Sequence, residues 1–363
     1  MVHFFIGTKA QFIKMAPIMV EMNNRGLPYR YIDSGQHANL TQSLRKTFSI
    51  REPDVSLSHS AGSIVSITEA FEWYLGCRWK SLTNRRWLKK HVFPEGGICM
   101  VHGDTLSTLL GMNMAVSAGL KVAHVEAGLR SFNIFNPFPE ELIRIRCMKK
   151  SDLLFAPSDE ALSNLRRMRL AEKAIRVSGN TVSDALRLTD RDQISIKIPD
   201  LPFALATCHR LETIARKDRL AKVAGLLNRV AKEMPVLFVI HQPTRKYLER
   251  FGLVQSLNRN VKKISMLDYD VFTSLERSAS IILTDGGSIQ EECSYLNKPC
   301  LILRNTTERS DGLGRNAVLW KFDDSVTESF LTQSFVGPDI KLYQLPHPSV
   351  EIVDTLMRLK YID

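Results

Sequence analysis

The sequence has no stretch long and apolar enough to cross a bilayer. Its longest uncharged run, Thr105 to Leu120, carries Gly, Ser, Thr and Asn and falls short of the ~20 apolar residues that a spanning helix needs. Cysteines are few and scattered. Cys77, Cys99, Cys147, Cys208, Cys293 and Cys300 form no CxxC pair and no zinc-cage spacing. That excludes a disulfide scaffold, leaves no metal site to expect, and points to a reducing, cytoplasmic compartment. Neither a GxGxxG nor a GxxxxGK[ST] loop is present, which argues against NAD and against ATP hydrolysis. The opening Met1 to Gly7 lacks a basic segment before its apolar run and is not expected to act as a signal peptide.

What is present suits two ordinary folded domains: 363 residues, 44% hydrophobic and 24% charged, against a prior of about 150 residues per domain. Lys and Arg outnumber Asp and Glu by 49 to 38, a net charge of +11, so an anionic partner is the first expectation. The cations gather at Arg85-Arg86 with Lys89-Lys90, at Arg166-Arg167 with Arg169, and in a helix from about Arg216. Neither an RNP-like stretch nor a helix-turn-helix signature accompanies them, so nucleic acid is not an expected partner. Such runs usually form solvated helix faces, and a small anion needs only two or three of them.

Short apolar runs alternate with helical spacing. Strands are expected at His3 to Ile6, Tyr29 to Ile32, Ile98 to His102, Val122 to Val125, Leu153 to Ala156 and Ile175 to Ser178. After a faltering segment between Asn180 and Pro202, read as a linker, more follow at Phe203 to Thr207, Val236 to Ile240, Lys263 to Met266, Ile281 to Thr284 and Cys300 to Leu303. The rhythm predicts an α/β protein of two doubly wound parallel sheets, at residues 1–185 and 186–346. Ligands of such sheets sit beyond the carboxyl ends of the strands, so a cleft between the domains is the expected site. His347-Pro348 opens a final amphipathic helix.

The strand ends deliver chemistry. Asp104 follows one strand, where it suits either a helix cap or a functional carboxylate. Glu126 follows the next, and an acid there is costly to bury unless paired or functional. Glu140 and Glu141 fall in a first helical turn, where the helix dipole alone accounts for either one. Several acids on one edge are the apparatus of proton abstraction and return. In the second half His209, Arg210 and His241 end strands. Thr284-Asp285-Gly286-Gly287-Ser288 reads as strand, tight turn and helix start, a backbone nest for phosphate. Glu292, one turn further, is placed for a ribose; Gly-Gly turns also occur without a ligand.

Taken together, these segments resemble the UDP-N-acetylglucosamine 2-epimerase family. The resemblance runs in order through Gly7-Thr8 with Lys14-Met15-Ala16-Pro17, Gly35-Gln36-His37, His102-Gly103-Asp104-Thr105 and His124 to Arg130. It continues through Pro139-Glu140-Glu141 with Arg144, Ser178 to Thr181, His209-Arg210 with Glu212, Thr284 to Glu292 and Thr306 to Arg309. It implies a GT-B-like fold, two Rossmann-like domains with an interdomain cleft, and the C-terminal helix 347–363 packing back on the first domain. It also implies a cytoplasmic homodimer with a UDP-sugar partner, no cofactor, and a place in surface polysaccharide synthesis. The implied reaction inverts C2 of a UDP-2-acetamido sugar by eliminating UDP to a 2-acetamidoglucal and adding it back. By matching position, Asp104, Glu126 and Glu140 are the acid/base carboxylates and His209 assists the leaving phosphate. Gly286, Gly287 and Ser288 hold the diphosphate, Glu292 the ribose and Phe272 the uracil. Lys9, Lys14, Arg210, His241 and Arg309 complete the substrate-binding set.

The departures loosen the substrate. Lys9-Ala10-Gln11 stands where Arg-Pro-Glu is usual, and Lys9 keeps the charge without the bidentate fork. Ser288 is displaced by one position within the Gly-rich turn, and Leu211 replaces an Arg. Of the positions that meet an activating second UDP-sugar in bacterial members, Gln36 and His241 match while Asn39 and Ala70 stand where Gln and Arg are usual, so activation by substrate is not expected. Gln11 and Gly128 to Asn133 look more like members acting on modified hexosamines, such as 2,3-diacetamido uronic acids or 6-deoxy sugars. Thr105 favours the non-hydrolysing type over a relative that releases UDP and free N-acetylmannosamine. A glycosyltransferase keeping the UDP site does not need the three acids, and a polyanion binder would be repelled by them.

Overall fold

Runs of apolar and β-branched residues become strands buried on both faces, the pattern of a parallel sheet covered by helices. The computed structural model describes residues 1–35, 38–57, 67–134, 138–189, 199, 202–307, 309–332 and 340–362. The expectations placed on Gln36, His37, Pro137, Glu308 and most of the linker lie outside them. The chain divides into two compact units, Met1–Leu188 with Pro346–Asp363, and Thr189–Leu345.

The first unit holds β1 (Val2–Ile6), β2 (Tyr29–Asp33), β3 (Val55–Ser56), β4 (Ile98–His102), β5 (Lys121–Val125), β6 (Leu153–Ala156) and β7 (Ala174–Arg176). Their order is β3-β2-β1-β4-β5-β6-β7, with every pairing parallel. One side of this sheet buries Phe5, Cys99, Val101 and Val122 against Leu110, Met114 and Leu88. The final helix, Pro348–Arg358, packs on the helices Lys9–Asn24 and Val182–Leu188, burying Ile352, Val353 and Leu356. Its first turn is pinned by Asp184, which accepts a hydrogen bond from the Ser349 N–H at 2.8 Å.

The second unit holds β8 (Ala204–Thr207), β9 (Val236–Val239), β10 (Val261–Ile264), β11 (Ile281–Thr284), β12 (Cys300–Ile302) and β13 (Ala317–Leu319), ordered β10-β9-β8-β11-β12-β13 and all parallel. Several strands shift by one or two residues at their ends from the sequence expectation, and two were not expected. β10 begins two residues early because Val261 is the buried residue that registers with Val236, leaving Met266 exposed. β3 and β13 escape a reading based on alternation because strands of two or three residues show no period.

Candidate active site

Strand order reverses between β1 and β4 in the first sheet and between β8 and β11 in the second. Loops beyond the carboxyl ends of strands flanking such a reversal form a ready crevice. Nearly all the candidate residues follow those strands or their neighbours.

After β1, Gly7 leads to Thr8, which caps the helix Lys9–Asn24 in a reciprocal box with Gln11. A side chain at Gly7 would place its Cβ 2.0 Å from Ser107 Oγ and 2.2 Å from Ser34 Oγ, so only glycine lets the two turns meet. Gln11 is buried and fastens them. Its Oε1 accepts from the Gly7 N–H (2.9 Å) and the Thr8 N–H (3.1 Å). Its Nε2 donates to the His102 carbonyl (2.8 Å) and to Thr105 and Thr108 Oγ1 (3.0 and 2.8 Å).

Asp104 does not cap the helix after β4: Thr105 does, in a box with Thr108. The hydroxyl one residue later has the extended backbone and reach that capping requires, which leaves Asp104 to pair with Arg144 Nη2. Arg144 spans two acids, its Nη1 lying 2.6 Å from Glu141 Oε2. Glu141 is fully buried, takes Arg130 Nε on its other oxygen at 2.5 Å, and accepts from the Ser131 N–H at 3.1 Å. Burial alone would raise the Glu141 pKa, but Arg130, the Ser131 N–H and Arg144 together hold it below the usual carboxylate range. Glu141 is therefore structural anchorage for Arg144. Its neighbour Glu140, also in the first turn of the helix Glu140–Lys150, is different. Glu140 Oε2 is buried and finds no hydrogen-bond partner among the described residues.

Glu126, after β5, is buried in the left-handed region at φ 63°, a conformation that costs a non-glycine residue roughly 1–3 kcal/mol and persists where the surroundings over-determine it. The surroundings here are Lys14 Nζ, 2.6 Å from Glu126 Oε2, and His102 Nε2, 2.7 Å from the same oxygen. Beneath them His124 is buried with Nε2 2.7 Å from the Gly103 carbonyl. Burial lowers its pKa to about 4, so it stays neutral at ordinary pH. Lys14, expected to offer charge to a ligand, has its ammonium on Glu126. Lys9 lies half-buried in the first turn of its helix.

In the second unit Asp285 is the organiser. Fully buried, it accepts from the N–H groups of His209 and Arg210, both at 2.8 Å, and its Oδ1 lies 3.2 Å from His209 Nδ1. Arg210 Nε donates to the Asp285 carbonyl at 3.0 Å. The turns after β8 and β11 are thereby locked together. The His209 ring stacks on His241 with centroids 4.6 Å apart, and burial lowers the His209 pKa against the opposing pull of Asp285. Gly286 is the N-cap of the helix Gly287–Leu296 and supplies no side-chain acceptor to its first turn. The turn that includes Gly287 and Ser288 thus keeps N–H groups and a positive dipole end for an anion. Glu292 is buried and accepts from Tyr269 Oη at 2.8 Å. Arg309 meets its neighbour Glu291 at 3.0 Å. Phe272 is half-buried against the core that holds Leu275, Ile282 and Cys293.

The structure therefore gathers Asp104, Glu126, Lys14 and the Glu140–Arg144 turn in one unit, and His209, Arg210, His241, Gly286 to Ser288, Glu292 and Arg309 in the other. His102, Arg144 as the bridge between two acids, and Tyr269 were not singled out from sequence. His102 ends a strand as His209 nearly does, and Arg144 stands three residues after Glu141, so both carried a signal. Tyr269 carried none. Among the described residues no group of three or more His, Cys, Asp or Glu side chains is arranged to hold a metal ion, and no helix is long and apolar enough to cross a membrane.

Comparison with known proteins bears on this arrangement. The family profile described as UDP-N-acetylglucosamine 2-epimerase matches residues 21–326. A UDP-N-acetylglucosamine 2-epimerase of Methanococcus maripaludis is 32% identical over 327 residues, covering 86% of this chain and 85% of its own. A UDP-2,3-diacetamido-2,3-dideoxy-D-glucuronate 2-epimerase of Pseudomonas aeruginosa is 30% identical over 98% of both chains. The crystal structure of the UDP-GlcNAc 2-epimerase from Neisseria meningitidis bound to UDP-GlcNAc superposes with a TM-score of 0.83 at 26% identity, covering 98% of this chain and 99% of that one.

Proposed function

This chain belongs to the UDP-N-acetylglucosamine 2-epimerase family, and from that premise we propose that it inverts C2 of a UDP-linked 2-acetamido hexose without net hydrolysis. A carboxylate takes the C2 proton, and the C1–O bond breaks with its electron pair leaving on UDP. The resulting 2-acetamidoglucal takes UDP back at C1 and a proton at the other face of C2. The observation that carries this reading is the set of carboxylates beyond β4 and β5 and at the start of the helix Glu140–Lys150, each in a different setting. Glu126 is clamped by Lys14 and His102, Asp104 is held by Arg144, and Glu140 has an oxygen without a partner among the described residues. Proton removal and return at one carbon need acids and bases in unlike environments.

The second unit supplies the handle for UDP. The first turn of Gly287–Leu296 takes the diphosphate with Ser288, and His209, steadied by Asp285, faces the leaving phosphate. Glu292 takes the ribose and Phe272 the uracil; Lys9, Arg210, His241 and Arg309 complete the set. Because the relative from Pseudomonas aeruginosa matches nearly end to end, the substrate includes UDP-hexosamines modified beyond C2. A cytoplasmic setting is supported by six free cysteines. Self-association as a homodimer is supported by Leu75, Trp79 and Leu82, a stripe left exposed on the helix Ile67–Thr83.

The test is incubation in deuterated water with UDP-N-acetylglucosamine, its 2,3-diacetamido uronic acid and its 6-deoxy analogues. Deuterium at C2 of an intact UDP-sugar is the expected result. Free sugar plus UDP replaces epimerisation with hydrolysis, and no C2 exchange with any of them refutes the proposal. Asp104→Asn is expected to abolish exchange while retaining UDP binding.

A further inference from the structure

The second unit holds an acid that the reading above does not use. Glu276, on the helix Tyr269–Ser278, is fully buried. One of its oxygens accepts only a thiol hydrogen bond, from Cys293 Sγ at 3.4 Å, and the other has no hydrogen-bond partner among the described residues. Its surroundings come from three elements. Cys293 and Glu292 stand on the helix Gly287–Leu296, Cys300 on β12, and Tyr269 and Arg277 on its own helix. The one cation among them, Arg277, directs Nη2 away, to the Thr189 carbonyl at 3.2 Å and Ser274 Oγ at 3.1 Å. An ionised carboxylate with one weak donor, beside another buried acid, is a costly arrangement.

We propose that Glu276 makes nucleotide binding sensitive to pH: it sits as a neutral carboxylic acid, so that Glu292 is the single anion of the pair and stays where Tyr269 holds it. Burial first, and the charge of Glu292 second, raise the Glu276 pKa well above the usual carboxylate range, in the same direction. When the pH rises through that raised value, a second buried negative charge forms next to Glu292 and repels it, and the ribose contact is lost. The inference rests on the assignment of Glu292 to the ribose.

Two measurements test it on the full-length protein. UDP binding by calorimetry, from neutral to alkaline pH, is expected to weaken in the wild type by about tenfold per pH unit beyond the Glu276 pKa. Glu276→Gln and Glu276→Met, both permanently neutral, are expected to bind like wild type at neutral pH and to lack that fall; any loss common to all three belongs to the ligand. Infrared spectroscopy at neutral pH is expected to show a protonated carboxyl band that disappears in Glu276→Gln. A band that survives in the variant, or the same pH dependence in all three proteins, overturns the inference alone. Absence of UDP binding by the wild type at every pH overturns the nucleotide assignment beneath it, and the infrared band then still reports whether Glu276 is neutral.

Discussion

Arg144 shows how one side chain sets the state of two others. It is buried between Asp104 and Glu141, and burial opposes its charge while both carboxylates raise its pKa. Removing one partner of a buried ion pair strands the other, at a cost of about 3–5 kcal/mol. Arg144→Gln is therefore expected to lower stability in urea by that order, and to slow C2 deuterium exchange about 100-fold, the lower end of what a positioned acid or base contributes. Arg144→Lys is expected to regain part of the stability and little of the rate, because an ammonium cannot fork to two acids. Equal recovery of both would assign Arg144 a purely structural role. The residue types at these strand ends were legible in sequence. Their partners were not: Lys14 and Glu126 are 112 residues apart, and Asp104 and Arg144 are 40 apart. Asp104 was even a plausible helix cap until Thr105 was seen to take that place.

The turns after β1 and β4 behave as one device. Gln11 ties them with side-chain hydrogen bonds to five residues, Gly7, Thr8, His102, Thr105 and Thr108, and Gly7 lets Ser34 and Ser107 close to 3.0 Å of each other. Gly7→Ala pushes a methyl into both hydroxyls. The expected loss is about 1–3 kcal/mol, typical of overpacking, read as a lower urea midpoint with slower C2 exchange. Adding both Ser34→Gly and Ser107→Gly removes the three closest contacts, so that triple variant is expected to regain stability relative to Gly7→Ala; no recovery would show that the turn fails for another reason. Apolar periodicity gave most of the strands, but the helices Ala38–Phe48, Ile67–Thr83 and Asp324–Thr332 were not read from it. Periodicity could not reveal β3 and β13, edge strands too short to show one, nor set the start of β10, which is chosen by registration of Val261 with Val236.

At the scale of the whole molecule, Leu75, Trp79 and Leu82 recur at helical spacing and remain exposed. Large contiguous apolar patches mark interaction surfaces, and the proposed two-fold dimer would bury these three side chains from both copies. Sedimentation equilibrium is expected to give twice the 41.2 kDa of one chain, and Leu75→Glu with Trp79→Glu to give one. A wild type that sediments as a single chain would remove the homodimer from the proposal.

The sequence by itself determined the class of fold, the two sheets and the residues at their carboxyl ends, because strand formation and strand-end position depend on neighbours only a few residues away. It also carried the family, since Gly7-Thr8, His102 to Thr105 and Thr284 to Glu292 are local motifs. Tertiary structure decided what those residues face. Parallel strand order brings β1 beside β4, and β8 beside β11, across long insertions, and that order alone sets Lys14 and His102 on Glu126 and Asp285 on His209. Burial decided the rest. It turns His124 into a neutral ring and lets the charge of Glu292 act on Glu276, effects that depend on exclusion of water, which the separation of two residues along the chain does not record.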